Sequence, residues 1–149
     1  MTRIEELIHD WNAQGGLTGP RRPLQFDDET LRDGLQSPAV SDPPLEQKLE
    51  ILELMDKLGI HTANLGLPGA GGRPREDILA MARHIVQRKL RIGANVACRT
   101  VVSDIEPVVE MSQKAGMPIE VCAFIGSSYI RQYAEDWTVD MRSEEHTSE

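Results

Sequence analysis

The run Asp28-Glu29-Thr30-Leu31-Arg32-Asp33-Gly34-Leu35-Gln36 follows a short apolar segment, residues 24–27, and precedes a turn-rich segment, residues 37–44. The apolar segment is typical of a short β-strand, and the glycine indicates that the run leaves the strand as a loop. In proteins that alternate strands and helices, ligands bind at the carboxyl ends of the strands. The opposed charges of Arg32 and Asp33 therefore predict either a ligand-binding loop or a solvated loop with one local ion pair.

Strand-like segments at residues 24–27, 60–67, 92–97 and 119–125 alternate with amphipathic helical segments. The first helix is predicted to begin at a cap formed by Ser41 or Asp42 and to stop at Gly59, and the next two span residues 77–90 and 104–115. Segments that alternate at roughly thirty-residue intervals specify right-handed parallel βαβ units, so the fold class is α/β. Two architectures remain open: a doubly wound sheet, or the first half (about four βα units) of a TIM (β/α)8 barrel.

The two ends of the chain differ from this repeating part, residues 24–141. Residues 1–23 are predicted to form an N-terminal helix followed by a linker rich in Gly and Pro. Residues 142–149 have the sequence that a translated sequencing adapter would have, and we expect this octapeptide to be non-native. On that expectation, the natural sequence is interrupted near Met141.

Composition excludes several classes of function. The net charge of −8 comes without a cluster of Lys and Arg, which argues against nucleic-acid binding. No segment is long and apolar enough to cross a bilayer, and the N-terminus lacks a signal-peptide pattern. Cys98 and Cys122 lie in or beside apolar segments and are expected to be buried, which fits a reducing cytoplasm.

The run Thr30-Leu31-Arg32-Asp33-Gly34-Leu35-Gln36 resembles the signature that opens the pyruvate carboxyltransferase family. This family includes the 2-isopropylmalate and homocitrate synthases and hydroxymethylglutaryl-CoA lyase. The resemblance continues, in order, through Gly59-Ile60, Asn64-Leu65-Gly66-Leu67-Pro68-Gly69, Ala97-Cys98-Arg99 and Phe124-Ile125-Gly126-Ser127-Ser128.

The resemblance implies the TIM barrel rather than the doubly wound sheet. It also implies an acyltransferase that condenses acetyl-CoA with a 2-oxo acid in a metal-dependent Claisen reaction, most like the 2-isopropylmalate synthases of leucine biosynthesis, in a cytoplasmic homo-oligomer. Lyase-type cleavage of a carbon–carbon bond is the alternative within the family, and a non-catalytic α/β binding domain is the alternative of another class. Since only the first half of a barrel is expected, its unpaired edge strands predict a fragment that is inactive and poorly stable by itself.

By the same resemblance, Asp33 matches the carboxylate that binds a divalent metal ion (Mg²⁺, Mn²⁺ or Zn²⁺), and Arg32 matches the arginine that stabilises the enolate oxygen. Both roles are chemically coherent, because a guanidinium and a Lewis-acidic ion stabilise charge on oxygen. The family completes its metal site with a His-x-His pair that this sequence lacks. The expected substrate-binding residues are Gln36, Asn64, Arg99, Ser128 and Arg131.

Three positions depart from the family pattern. Leu35 replaces the Glu that is usual in the synthases and resembles the lyase branch. Asn64 lies where many members carry a Glu, whose charge can orient the neighbouring Arg. Arg131 lies where many synthases place a His, and its fork is matched to a carboxylate or a CoA phosphate. Residues 66–72 do not fit a dinucleotide fingerprint and are expected to form a flexible loop over the substrate.

Overall fold

The computed structural model describes residues 23–136, 138 and 140. Its single sheet contains four strands: β1 (Asp27–Asp28), β2 (Thr62–Asn64), β3 (Gly93–Arg99) and β4 (Ile119–Phe124). The strands lie in the order β1-β2-β3-β4, and each pairs in parallel with its neighbour. The predicted N-terminal helix and the predicted non-native tail lie outside the described residues.

Helices connect the strands. They are α1 (Leu45–Leu58), α2 (Gly72–Arg88), α3 (Val102–Ala115) and, after the last strand, α4 (Tyr129–Glu135), with short 3-10 turns at Gly34–Gln36 and Pro68–Ala70. The predicted stop of α1 at Gly59 is confirmed, and α3 ends in the same way at Gly116. Both glycines have positive φ, 81° and 74°, a conformation that glycine adopts without strain.

The strand order decides between the two architectures. A doubly wound sheet reverses its strand order at a switch point, whereas here every strand lies beside the one that precedes it along the chain. Successive right-handed crossovers in one direction place their helices on one face of the sheet. The topology is that of the first half of a TIM barrel, as predicted.

The core lies between that face and the helices. Every second side chain of β2 and β3 points into this core, and these residues are Ala63, Ala94, Val96 and Cys98. They belong to one cluster with fully buried residues of the helices, which are Leu52, Ile78, Met81 and Val108. Strand residues of the opposite alternation point to the other face, which corresponds to the inside of a barrel. We call this the inner face, and it carries Asp27, Thr62, Asn64, Asn95, Glu120 and Cys122.

Three local predictions were wrong. Neither Ser41 nor Asp42 caps α1, which begins after Pro44. Helix α2 begins at Gly72 instead of residue 77, because its proline, Pro74, is tolerated in a first turn. Cys122 is exposed on β4, although Cys98 is buried as expected. In the loop before α2, Pro68 is fully buried, and the flexibility of this loop stays a prediction.

Within the residues that the structure describes, no helix is long and apolar enough to cross a membrane.

Candidate active site at the carboxyl ends of the strands

The residues with candidate chemistry follow the carboxyl ends of the four parallel strands, which lie at one edge of the sheet. Arg32, Asp33 and Gln36 follow β1, Arg99 ends β3, and Ser128 and Arg131 follow β4. Two separate cavities lie at this edge of the sheet. One, of about 140 Å³, is lined by Arg32 and Gln36, and the other, of about 450 Å³, is lined by Arg99 and Arg131. Leu67, from the loop after β2, contributes to the wall of both cavities.

Arg32 is held in place by a turn and by two carboxylates. The backbone carbonyl of Glu29 accepts hydrogen bonds from the backbone N–H groups of Arg32 (3.1 Å) and Gly34 (3.0 Å). The guanidinium contacts Oε2 of Glu29 through Nε (2.8 Å) and Nη2 (2.6 Å), and Oδ1 of Asp33 through Nη1 (3.0 Å). The side chain of Arg32 is 24% exposed and that of Asp33 is 64% exposed. The arginine is therefore oriented before any ligand binds, and the aspartate is accessible.

Asn64, a predicted substrate-binding residue, is only 1% exposed. Its Nδ2 donates to Oε1 of Glu29 (3.1 Å), and its Oδ1 accepts from the backbone N–H of Gly66 (3.2 Å). The amide thus links β2 to the carboxylate that holds Arg32. Glu29 was missed in the sequence, because its contact with Arg32 depends on the turn that brings these two residues together.

A second polar cluster lies on the inner face around Asp27. Oδ1 of Asp27 accepts from Oγ1 of Thr62 (2.7 Å) and from Nδ2 of Asn95 (2.6 Å). Asn95 is buried, and its Oδ1 has no hydrogen-bond partner among the described residues. Although Cys122 is exposed, the pKa of its thiol is raised, first by partial desolvation and then by the negative charges of nearby carboxylates, among them Glu120. This part of the inner face is therefore acidic.

Arg99 is anchored to the first turn of α3. Its Nε and Nη2 donate to the two carboxylate oxygens of Asp104, each at 2.8 Å, and its backbone N–H also donates to Oδ2 (3.3 Å). The hydrogen bond with Arg99 holds the pKa of the buried Asp104 below its ordinary value, against the opposing effect of burial. The side chain of Arg99 is 61% exposed, and Arg99 also lines the larger cavity.

The two predicted residues after β4 have local partners. Oγ of Ser128 accepts from the backbone N–H of Arg131 (3.3 Å) and thereby caps α4. Nε of Arg131 contacts Oε1 of Glu135 at 2.7 Å, one helical turn later. The structure therefore brings Arg99 and Arg131 to one cavity, whereas Ser128 has a structural contact.

An ion cluster around the buried Lys48, in the same cavity wall as Arg32, was also missed in the sequence. Nζ of Lys48 lies 2.7 Å from Oδ1 of Asp42 and 2.7 Å from Oδ2 of Asp77. All three residues line the smaller cavity. The cluster joins the loop after β1 to the first turns of α2, so it stabilises the loops that form the site. Lys48 and Asp77 lie 29 residues apart, and no local pattern pairs them.

The described residues contain no group of three or more His, Cys, Asp or Glu side chains that could hold a metal ion. Asp33 would therefore be a single ligand of such an ion. The histidines of the described part have structural contacts: Nδ1 of His61 accepts from the backbone N–H of Phe26 (3.0 Å), and His84 lies 2.9 Å from Glu53.

A model of the HMGL-like family matches residues 23–143. The chain is 31% identical to homocitrate synthase AksA of Methanothermobacter thermautotrophicus over 104 residues, which are 70% of this chain and 25% of that protein. It is 32% identical to 2-isopropylmalate synthase of Stenotrophomonas maltophilia (68% of this chain, 18% of that protein) and 35% identical to that of Acidimicrobium ferrooxidans (65% and 18%). The chain thus spans at most about a quarter of the length of these relatives.

Proposed function

The chain belongs to the HMGL-like family, and from this membership we propose that it contributes the first half of the barrel of an acyltransferase that condenses acetyl-CoA with a 2-oxo acid. The single observation that carries the proposal is the pair that follows β1: Arg32, oriented by Glu29, beside the accessible carboxylate of Asp33. Its relatives include homocitrate and 2-isopropylmalate synthases, which supports the condensing direction. We further propose that the complete protein acts as a 2-isopropylmalate synthase, in leucine biosynthesis in the cytoplasm.

The proposed role of Arg32 follows from the charge that a Claisen reaction develops. A base removes a proton from the methyl group of acetyl-CoA, and the resulting enolate carries negative charge on its thioester oxygen. The enolate carbon then forms a bond to the ketone carbon of the oxo acid, whose carbonyl electrons move to oxygen, and hydrolysis of the thioester releases CoA. A guanidinium that is already oriented stabilises the enolate oxygen without reorganisation during the reaction.

Asp33 fits one ligand position of a divalent metal ion. Its Oδ1 contacts Arg32, its side chain is largely exposed, and carboxylate oxygens suit Mg²⁺ and Mn²⁺ and are accepted by Zn²⁺. Further ligands would come from outside the described residues. A bound ion would supply Lewis-acid polarisation of the oxo-acid carbonyl.

The anionic groups of the substrates fit the larger cavity. Arg99 and Arg131 line it, and a guanidinium fork binds a carboxylate or a phosphate through two parallel hydrogen bonds. We assign these two residues to the carboxylate of the oxo acid or to CoA. Gln36, which lines the smaller cavity with Arg32, would contact the reacting part of the substrate.

Lyase-type cleavage of a hydroxymethylglutaryl-CoA-like thioester is the second candidate. The observation that favours it is Leu35, an apolar residue in the wall of the smaller cavity beside Arg32. An apolar side chain at this position suits a substrate that carries a methyl group better than the carboxylate side chain of a Glu would.

The test uses the complete protein encoded by the gene that contains this sequence. Release of free CoA is measured with acetyl-CoA and a panel of 2-oxo acids in Mg²⁺ or Mn²⁺, and cleavage of hydroxymethylglutaryl-CoA is measured in parallel. We expect Asp33→Asn and Arg32→Lys to lower kcat at least about a hundredfold, because each removes stabilisation of developing charge. Glu50→Gln, an exposed carboxylate on α1, is the control and should leave kcat unchanged. Absence of both reactions from the complete protein would refute the proposal.

A further inference from the structure

Glu29 is the residue through which the first two strands jointly fix the guanidinium of Arg32. One oxygen of its carboxylate, Oε2, contacts Nε and Nη2 of Arg32, and the other, Oε1, accepts from Asn64 of β2. The backbone carbonyl of Glu29 also closes the turn that contains Arg32. Both ends of the arginine, its backbone and its guanidinium, are therefore tied to the same residue.

The two carboxylates that contact Arg32 bind different nitrogens of its guanidinium. Asp33 touches only Nη1, whereas Glu29 takes Nε and Nη2, an edge of the planar group. If Glu29 carried no charge, the guanidinium would be attracted to Asp33 alone. That pairing would both rotate the arginine and occupy the carboxylate proposed for the metal ion.

The neutrality of Asn64 is part of the same arrangement. Its Nδ2 lies 3.1 Å from Oε1 of Glu29, so a carboxylate at position 64, which is almost fully buried, would lie against the half-exposed carboxylate of Glu29. Like charges at such a distance destabilise one another, and the amide avoids this while still donating a hydrogen bond. A negative charge at position 64 is therefore disfavoured while Glu29 is charged.

We propose that Glu29 is a positioning residue for Arg32, and that positions 29 and 64 together provide one carboxylate, which in this chain comes from the loop after β1. The consequence for catalysis rests on the proposed function, because it assumes that Arg32 stabilises the enolate oxygen. The consequence for the guanidinium itself does not.

The experiment measures Arg32 in two independent ways in the complete protein. The first is the rate at which phenylglyoxal modifies Arg32, followed by mass spectrometry of the peptide that contains it. Arg88 is the internal control, because it is exposed, pairs with Glu53 and lies on α2. The second is the split of kcat and KM for acetyl-CoA. The variants are Glu29→Gln, Asn64→Glu and the double variant that moves the carboxylate from position 29 to position 64.

Glu29→Gln should raise the modification rate of Arg32 several-fold and leave that of Arg88 unchanged. It should lower kcat roughly tenfold to a hundredfold with little change in KM, because a catalytic group misplaced by about 1 Å loses that much. The double variant should recover most of both losses, whereas Asn64→Glu alone should not improve either. Glu29→Asp, which keeps the charge on a shorter side chain, should give intermediate values.

An unchanged modification rate of Arg32 in Glu29→Gln would overturn the proposal, as would a double variant that recovers nothing. If the modification rates follow the expected pattern while the complete protein performs neither condensation nor cleavage, the positioning by Glu29 stands and the proposed function fails. A rise in the rate of Arg88 together with that of Arg32 would show general loosening of the fold and would also overturn the proposal.

Discussion

The ion pair between Lys48 and Asp77 should contribute far more to stability than a surface pair of the same chemistry. Nζ of Lys48 lies 2.7 Å from the carboxylate, and the two side chains are 8% and 15% exposed. The chain also contains a matched exposed pair, Lys114 and Glu110, at 3.0 Å, with exposures of 56% and 67%. Distance and charge are nearly equal in the two pairs, which differ chiefly in burial and in the second partner that Lys48 has in Asp42.

The expected magnitude follows from that burial. Removing one partner of a buried pair leaves an unpaired charge and costs about 3–5 kcal/mol when both groups are fully enclosed. Asp42 is half-exposed and also contacts Lys48, so it relaxes into water and reduces this figure. We expect Lys48→Met to lower the free energy of unfolding by about 2–4 kcal/mol, with a coupling to Asp77 of about 1–3 kcal/mol. The exposed pair should show a coupling of about 0.3–0.5 kcal/mol.

The assay is a double-mutant cycle on the complete protein, unfolded by urea and followed by circular dichroism at neutral pH, with Lys48→Met, Asp77→Asn and the double variant. Lys114→Met, Glu110→Gln and their double variant form the control cycle. Burial alone would lower the pKa of Lys48, but its hydrogen bonds with Asp42 and Asp77 outweigh burial and raise the pKa. The lysine is therefore charged at neutral pH, and its stabilisation is lost only as the pH rises through the raised value. A coupling for Lys48 no larger than that of the control cycle would refute the reasoning.

Three further predictions use the same unfolding measurement. Leu52→Ala, in a fully buried side chain of α1, should lower the free energy of unfolding by about 2–5 kcal/mol; a loss below about 1 kcal/mol would contradict the assignment of the core. Gly69→Ala should lower the free energy of unfolding by about 1–3 kcal/mol, because the new Cβ would lie 2.7 Å from Oδ2 of Asp104. Gly72→Ala is the control and should not lower it, because no atom lies within 4 Å of its new Cβ. Equal losses in the two variants would contradict the prediction. Because the pKa of Asp104 is lowered by Arg99, the stabilisation by this pair is present above the ordinary Asp range, near pH 4, and is lost as the pH falls. Arg99→Met should thus be less stable than the unchanged chain at pH 7, with a difference that shrinks towards pH 3; a difference independent of pH would speak against the pair.

The sequence by itself determined the order and type of the elements. Helical periodicity and the left-handed conformation at Gly59 are properties of neighbouring residues, so they can be recognised without knowing the fold. Strand bounds were less accurate: β2 contains only Thr62–Asn64, because a strand is defined by its hydrogen bonds to other strands. The exposure of Cys122 was mispredicted for a related reason, since alternation along β4 does not reveal which face is covered.

At the site, the sequence indicated Arg32 and Asp33, which are adjacent in the chain and so remain adjacent in any fold. Only the tertiary structure decided which partners hold such charges in place. Asn64 meets Glu29 across 35 residues, and Lys48 meets Asp77 across 29. The sequence shows which charged side chains need a partner when they are buried. The partners are decided by the fold, because parallel crossover connections bring together side chains that are distant in the chain.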